Sequence, residues 1–168
     1  TFFAIASAHP GARLVWVGDG PSRALLECEA LQQRFAGWRK GVELAAHYAS
    51  ADLFLFPSLT ETYGNVVAEA MASGLAVVAY RSAAAAELII DGANGLIASA
   101  GDERAFVDAA LRFASAGQDR QCGLRLAARE SMLPRHWDDV VASFETVLRE
   151  VIAGWIACGE VTEAAATM

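Results

Sequence analysis

Three short, unbroken apolar runs decide what this chain can fold into. Residues 13–17 (Arg-Leu-Val-Trp-Val), 52–56 (Asp-Leu-Phe-Leu-Phe) and 75–80 (Leu-Ala-Val-Val-Ala-Tyr) are rich in strand-forming side chains and bounded by Gly, Pro or Asp. A strand with one wet face alternates apolar and polar residues, whereas a continuous run must be covered on both faces. Helical stretches lie between the runs: Ser22 to Gln33, Val42 to Ala49 and Gly64 to Ser73, with Gly74 placed as a helix C-cap. A weaker strand is expected at Arg34 to Gly37, a short helix at Ala83 to Ile90, and a small strand at Gly95 to Ala98 after an Asp91-Gly92 turn. Residues 102–115, 119–131 and 136–153 read as helices. Strands alternating with helices predict an α/β fold, a parallel sheet with helices on both faces, ending in a long C-terminal helix. That final helix carries a stripe at helical spacing from Trp137 through Val140, Val141, Phe144, Val147, Leu148, Val151 and Ile152 to Trp155. The stripe either packs on the domain's own core or docks its end on another domain.

With 168 residues the chain suits one domain, expected over 1–158, with a flexible tail over 159–168. Hydrophobic residues make up 55%, too many for a disordered chain. A net charge of −7 argues against a nucleic-acid binder, which needs a basic face. Cys28, Cys122 and Cys158 form no Cys-x-x-Cys pair, so neither a zinc site nor a disulfide framework is expected. Reduced thiols and the lack of a signal peptide or membrane span point to the cytoplasm. The opening Thr1-Phe2-Phe3-Ala4-Ile5, ended by His9-Pro10-Gly11, reads as the end of an amphipathic helix, which suggests a chain truncated at its N-terminus.

In a parallel α/β sheet, ligands bind beyond the carboxyl ends of the strands. Two such ends stand out, Gly18-Asp19-Gly20-Pro21 and the stretch from Pro57 to Asn65. The second runs into a helix start, where free backbone N–H groups and a partial positive charge attract anions. Gly64 lacks a Cβ, so amides around Gly64, Asn65 and Val66 could hold a diphosphate. Glu69 lies about one turn inside, where its carboxylate could accept hydrogen bonds from a ribose diol. Glu61, in the loop, is placed to reach a sugar on that diphosphate. A plainer reading stays open for both: Ser58-x-x-Glu61 also matches a capping box, and Glu69 could be a solvated helix residue.

The stretch from Ala51 to Ala79, containing Glu61-Thr-Tyr-Gly-Asn-Val-Val-Ala-Glu69, resembles glycosyltransferase family 4, whose signature is a Glu pair separated by seven residues. Val17-Gly-Asp-Gly-Pro21 and Glu87-Leu-Ile-Ile-Asp-Gly-Ala-Asn-Gly-Leu96 are similar to further blocks of that family, in order. The resemblance implies a GT-B fold of two Rossmann-like domains, this chain being the C-terminal, donor-binding one and the acceptor-binding N-terminal domain being absent. It implies retaining transfer of a hexose from a UDP- or GDP-sugar to an acceptor hydroxyl, without a cofactor or metal, by front-face attack in which the leaving diphosphate helps to take the acceptor proton. Glu61 would face the donor sugar as the catalytic residue and Glu69 the ribose. Thr62, Tyr63, Gly64, Asn65 and Val66 would contact sugar and diphosphate, while Gly18 and Gly20 would let the first loop close on the nucleotide. The acceptor would be a sugar or glycolipid, with peripheral association of the whole protein at the inner membrane face as an option.

The chain departs from the family pattern in places. The family's diphosphate-clamping Arg and Lys would precede Thr1, and Lys40 does not match them. Ala76 stands where Pro is usual, Ser82-Ala-Ala-Ala-Ala86 where a Gly pair is usual, and Arg81 where a polar or acidic residue is usual. This chain alone is therefore expected to bind donor weakly and not to catalyse transfer. Gly18-x-Gly20-x-x-Arg23 lacks the third Gly of a dinucleotide fingerprint. Two alternatives remain: a non-catalytic nucleotide-binding module, and another GT-B enzyme such as a sugar-nucleotide epimerase.

Overall fold

The computed structural model describes residues 1–29, 33–61 and 64–166, with side chains described through Trp155. In chain order the elements are α1 (Phe2–Ala8), β1 (Val15–Val17), α2 (Arg23–Glu29), β2 (Arg34–Gly37), α3 (Gly41–Ser50), β3 (Leu53–Phe56), α4 (Asn65–Ala72), β4 (Ala76–Tyr80), α5 (Ala83–Leu88), β5 (Leu96–Ala98), α6 (Glu103–Ala114), α7 (Gln118–Met132) and α8 (Trp137–Ala166). Each expected strand forms, and every pairing is parallel.

The strands are grouped differently from the single sheet expected. β1 pairs with β2, and β3, β4 and β5 form a second sheet with β4 central. All five residues of β4 are buried, and their alternation divides the core in two. Val77 and Ala79 pack with Val67, Ala70 and Met71 of α4, Leu88 of α5 and Ala128 of α7. Ala76, Val78 and Tyr80 pack with Ile5 of α1 and Phe106, Ala109 and Phe113 of α6. Helices on both sides of one strand are what its unbroken apolar sequence requires.

β1 and β3 each leave one edge without a strand partner among the described residues. An apolar cleft of about 1680 Å³ lies between the two sheets, lined by Val15, Trp16 and Val17 on one side and Leu53, Phe54 and Phe56 on the other. α1 touches both sides: the Phe2 ring packs edge-on against Trp16 at 4.6 Å, and Ile5 sits in the β4 core. The grouping could not be read from the sequence, because nothing in a strand's own residues names its neighbour; hydropathy specifies only that it must be covered.

Two turns are fixed by hydrogen bonds, one through backbone and a distant arginine, the other through its own side chains. Gly74, at φ +78°, closes α4 by donating to Met71 while Leu75 donates to Ala70, a pair of bonds that satisfies the last helical carbonyls. Arg125 of α7 reaches the same turn, donating to the Gly74 carbonyl at 3.0 Å and to Asp52 at 2.9 Å. Buried Asn94 accepts from the Ile90 amide and donates to the Leu88 carbonyl, and Asp91 accepts from the Ile97 amide. The sequence block from Glu87 to Leu96 is therefore a scaffold for the turn into β5.

The chain divides into two compact units, Thr1–Leu133 and Pro134–Met168, where the sequence suggested one body through 158. α8 continues to Ala166 through the stretch expected to be a loose tail. Gly159 is carried there by good helix formers, among them Glu160, Glu163 and Ala164 to Ala166. Trp137, Val140, Val141, Phe144, Val147, Leu148, Val151, Ile152 and Trp155 are all exposed. Among the described residues no helix is long and apolar enough to cross a membrane.

Candidate functional site

α4 begins abruptly because Gly64 turns the chain into it from the left-handed region, at φ +88° and ψ +54°. An L side chain would be strained there, although it would meet nothing closer than Glu61 Cγ at 3.7 Å. The Gly64 carbonyl then accepts from the Val67 amide at 3.0 Å. This geometry presents the opening amides of α4 beyond the carboxyl end of β3. Val67, Ala70 and Met71 are buried beneath the helix, which leaves Asn65 and Glu69 on its exposed side.

Glu69 stays exposed but is not a freely solvated side chain. The Tyr48 hydroxyl of α3 donates to its Oε2 at 3.3 Å. The Tyr48 ring is half-buried, edge-on to Phe54, and Phe54 stacks on Phe56, each pair at 5.8 Å. Burial, reinforced by the neighbouring Glu69 charge and hydrogen bond, pushes the Tyr48 phenol up to about 12, so it remains a donor at neutral pH.

Glu61 accepts from the Ser58 hydroxyl at 2.8 Å, and the Ser58 carbonyl accepts from the Ser82 hydroxyl at 3.2 Å. The capping box that Ser58-x-x-Glu61 allowed is not formed, since no helix starts at Ser58 and α4 opens at Asn65. Glu61 is exposed at the carboxyl end of β3, and the Ser58–Ser82 bond joins that loop to the start of α5 after β4. Thr62 and Tyr63 lie outside the described residues.

The first loop is built from β1. Gly18, at φ +128°, donates its amide to the Gly37 carbonyl at 2.9 Å, while Gly20 donates to the Asp19 carboxylate at 2.9 Å. Asp19 thus shapes its own loop. Arg23 is taken up by Glu27 at 2.8 Å and Asp19 at 3.7 Å; the Glu27 hydrogen bond holds its pKa above the ordinary value. Gly18 and Gly20 together line a small cavity of about 270 Å³. Gly18 also lines the large cleft, as do Tyr48 and Val66, together with Trp38 and Lys40, whose ammonium lies 5.4 Å from the Trp38 ring centre. Arg81 is exposed and makes no ion pair among the described residues. The described residues contain no group of three or more His, Cys, Asp or Glu able to hold a metal ion.

Parallel pairing puts Gly18, Glu61 and Gly64 beyond carboxyl ends of strands, the end at which α/β sheets bind ligands. Spacing pointed to Ser58 with Glu61, though as a cap, and gave no hint of Tyr48 or Ser82. Tyr48 and Ser82 have partners 21 and 24 residues away, which they meet only once the chain is folded.

The family described as "Glycosyl transferases group 1" matches residues 2–116, more than half of the chain. The chain belongs to the group 1 glycosyltransferases. A GDP-mannose-dependent alpha-mannosyltransferase of Mycobacterium tuberculosis is 38% identical over 146 residues, covering 84% of this chain and 38% of that protein. This glycosyltransferase chain thus spans under two-fifths of that relative's length. Among solved structures it resembles the C-terminal domain of a group 1 glycosyltransferase, LpcC, of Francisella tularensis. That match has a TM-score of 0.68 at 21% identity and covers 80% of this chain and 76% of that one. It also resembles Anabaena HepE in complex with UDP, with a TM-score of 0.72 at 22% identity, covering 90% of this chain and 43% of that one. These likenesses agree with an α/β, GT-B-type C-terminal domain built on parallel strands.

Proposed function

We propose that this chain is the nucleotide-sugar-binding half of a retaining hexosyltransferase, with GDP-mannose as the first donor to test and UDP-sugars as the second. Glu69 behind the Gly64-capped start of α4 carries the reading: it offers a carboxylate to a ribose diol beside amides suited to a diphosphate. The order of donors follows the relatives, since the GDP-mannose-dependent mannosyltransferase is 38% identical, whereas the UDP complex of HepE shares 22%. Glu61, held by Ser58, faces the transferred sugar, and Gly18 and Gly20 let the first loop approach the nucleotide.

Retention without inversion calls for attack from the face that the diphosphate leaves. The chain's part is to hold the diphosphate while positive charge develops on the sugar ring, and the departing oxygen takes the acceptor proton. The electrostatic work falls on the start of α4, and no metal is assigned to it. The acceptor, a sugar or glycolipid, binds an N-terminal domain outside this chain, so the chain alone binds donor without transferring the sugar.

Calorimetric titration with GDP and GDP-mannose tests the division of labour. Glu69→Ala should weaken both ligands alike, whereas Glu61→Ala should weaken GDP-mannose more than GDP. Equal losses on both ligands with Glu61→Ala would remove its sugar role.

A further inference from the structure

The Tyr48–Glu69 contact does something for the site that the Glu pair by itself does not explain. A glutamate on the open side of a helix has three rotatable bonds, and ordering it on a ligand costs side-chain entropy. Glu69 differs from such a residue in one respect, the phenol that meets its Oε2 from the neighbouring helix. Among the described residues no other hydrogen bond to its carboxylate occurs, so Oε1 and the remaining lone pairs of Oε2 are open to a ligand. A carboxylate has about four acceptor positions, enough for one phenol and two ribose hydroxyls.

The phenol is itself well held. Its ring rests on Phe54, which stacks on Phe56, and all three lean on the core formed by Val67, Met71 and Val77. The base of that anchor is β3, the strand whose carboxyl end carries Glu61. Tyr48 therefore ties the direction of the Glu69 carboxylate to the same strand that sets the sugar-facing loop. The high phenol pKa keeps the proton on Tyr48 throughout the neutral range.

We infer that Tyr48 is a positioning residue, whose hydroxyl holds the Glu69 carboxylate in the orientation that receives the ribose diol of a nucleoside diphosphate. The inference rests on the donor-site reading given above. It adds a side chain outside the Glu-pair stretch and makes nucleotide affinity depend on a contact between α3 and α4.

The test uses the full chain and its Tyr48→Phe variant, which keeps the ring and drops only the hydroxyl. GDP and 2′,3′-dideoxy-GDP are titrated by calorimetry, with UDP and its dideoxy analogue in parallel. Wild type should prefer the nucleotide that has the diol. Tyr48→Phe should weaken GDP about fivefold, the scale of the side-chain ordering that the phenol relieves, and leave the dideoxy analogue within twofold. In a Glu69→Ala background the same change should have no further effect on GDP. Equal weakening of both ligands by Tyr48→Phe, or of neither, overturns the positioning role while leaving the ribose contact of Glu69 intact. Equal binding of GDP and its dideoxy analogue by wild type overturns the ribose contact itself, and the positioning role with it.

Discussion

The two sheets of this domain begin from similar sequence and end in different surroundings. Leu-Ala-Val-Val-Ala-Tyr at 75–80 and Arg-Leu-Val-Trp-Val at 13–17 are both short apolar runs between helical segments. The first becomes β4, flanked by β3 and β5, and is 0–5% exposed along its length. The second becomes β1, flanked by β2 alone, with Val15 50% and Val17 40% exposed. Apolar sequence specifies a demand for cover, and neighbouring strands and helices meet it. The site divides along the same line. Glu61, Gly64 and Glu69 stand on the covered sheet, and Gly18 and Gly20 on the open pair.

Core truncation should produce the widest gap between the two. Phe106→Ala, under the β4 layer, should cost about 3–5 kcal/mol, whereas Val15→Ala should cost about 1 kcal/mol or less. Urea unfolding of both variants measures this; similar losses would mean that the two sheets share one core in solution. Glycines at the two loops give the next contrast. Gly64→Ala forces an L residue into the left-handed region and should cost about 1–2 kcal/mol with weaker nucleotide binding. Gly20→Ala, free of positive φ and with open space around its Cα, should change stability by less than about 0.5 kcal/mol.

A smaller effect concerns pH. The folded-state pKa of Tyr48 is raised from 10.0 to about 12. A raised pKa means that the folded chain holds the proton more tightly than the unfolded one. The contribution is therefore complete below pH 10 and declines as pH rises from 10 toward 12. Tyr48→Phe should flatten that decline in a stability–pH profile, and an unchanged profile would place the alkaline sensitivity elsewhere.

Much of the covered sheet was legible in sequence. Continuous apolar runs gave β3 and β4, and Gly74 closed α4 where a C-cap was expected. The Glu pair could be found because both residues belong to one strand–loop–helix unit. What joins distant segments was not legible. Arg125 binds Gly74 from 51 residues away, and Tyr48 meets Glu69 across β3. The grouping of strands into two and three was hidden for the same reason. Ser58 misled in another way: its spacing to Glu61 fits a cap, but the left-handed Gly64 delays the helix to Asn65.

Whether the carboxylate over the covered sheet holds a nucleotide is the deciding question. Glu69→Ala and Asp19→Ala, one from each sheet, should be titrated with GDP and UDP against wild type. Loss of hydrogen bonds to a charged acceptor should weaken the preferred nucleotide about ten- to a hundredfold in Glu69→Ala. Asp19→Ala, which removes a loop-shaping hydrogen bond and an exposed ion pair with Arg23, should stay within about fivefold. Binding by Glu69→Ala as tight as wild type, or no binding of either nucleotide by wild type, would contradict the account.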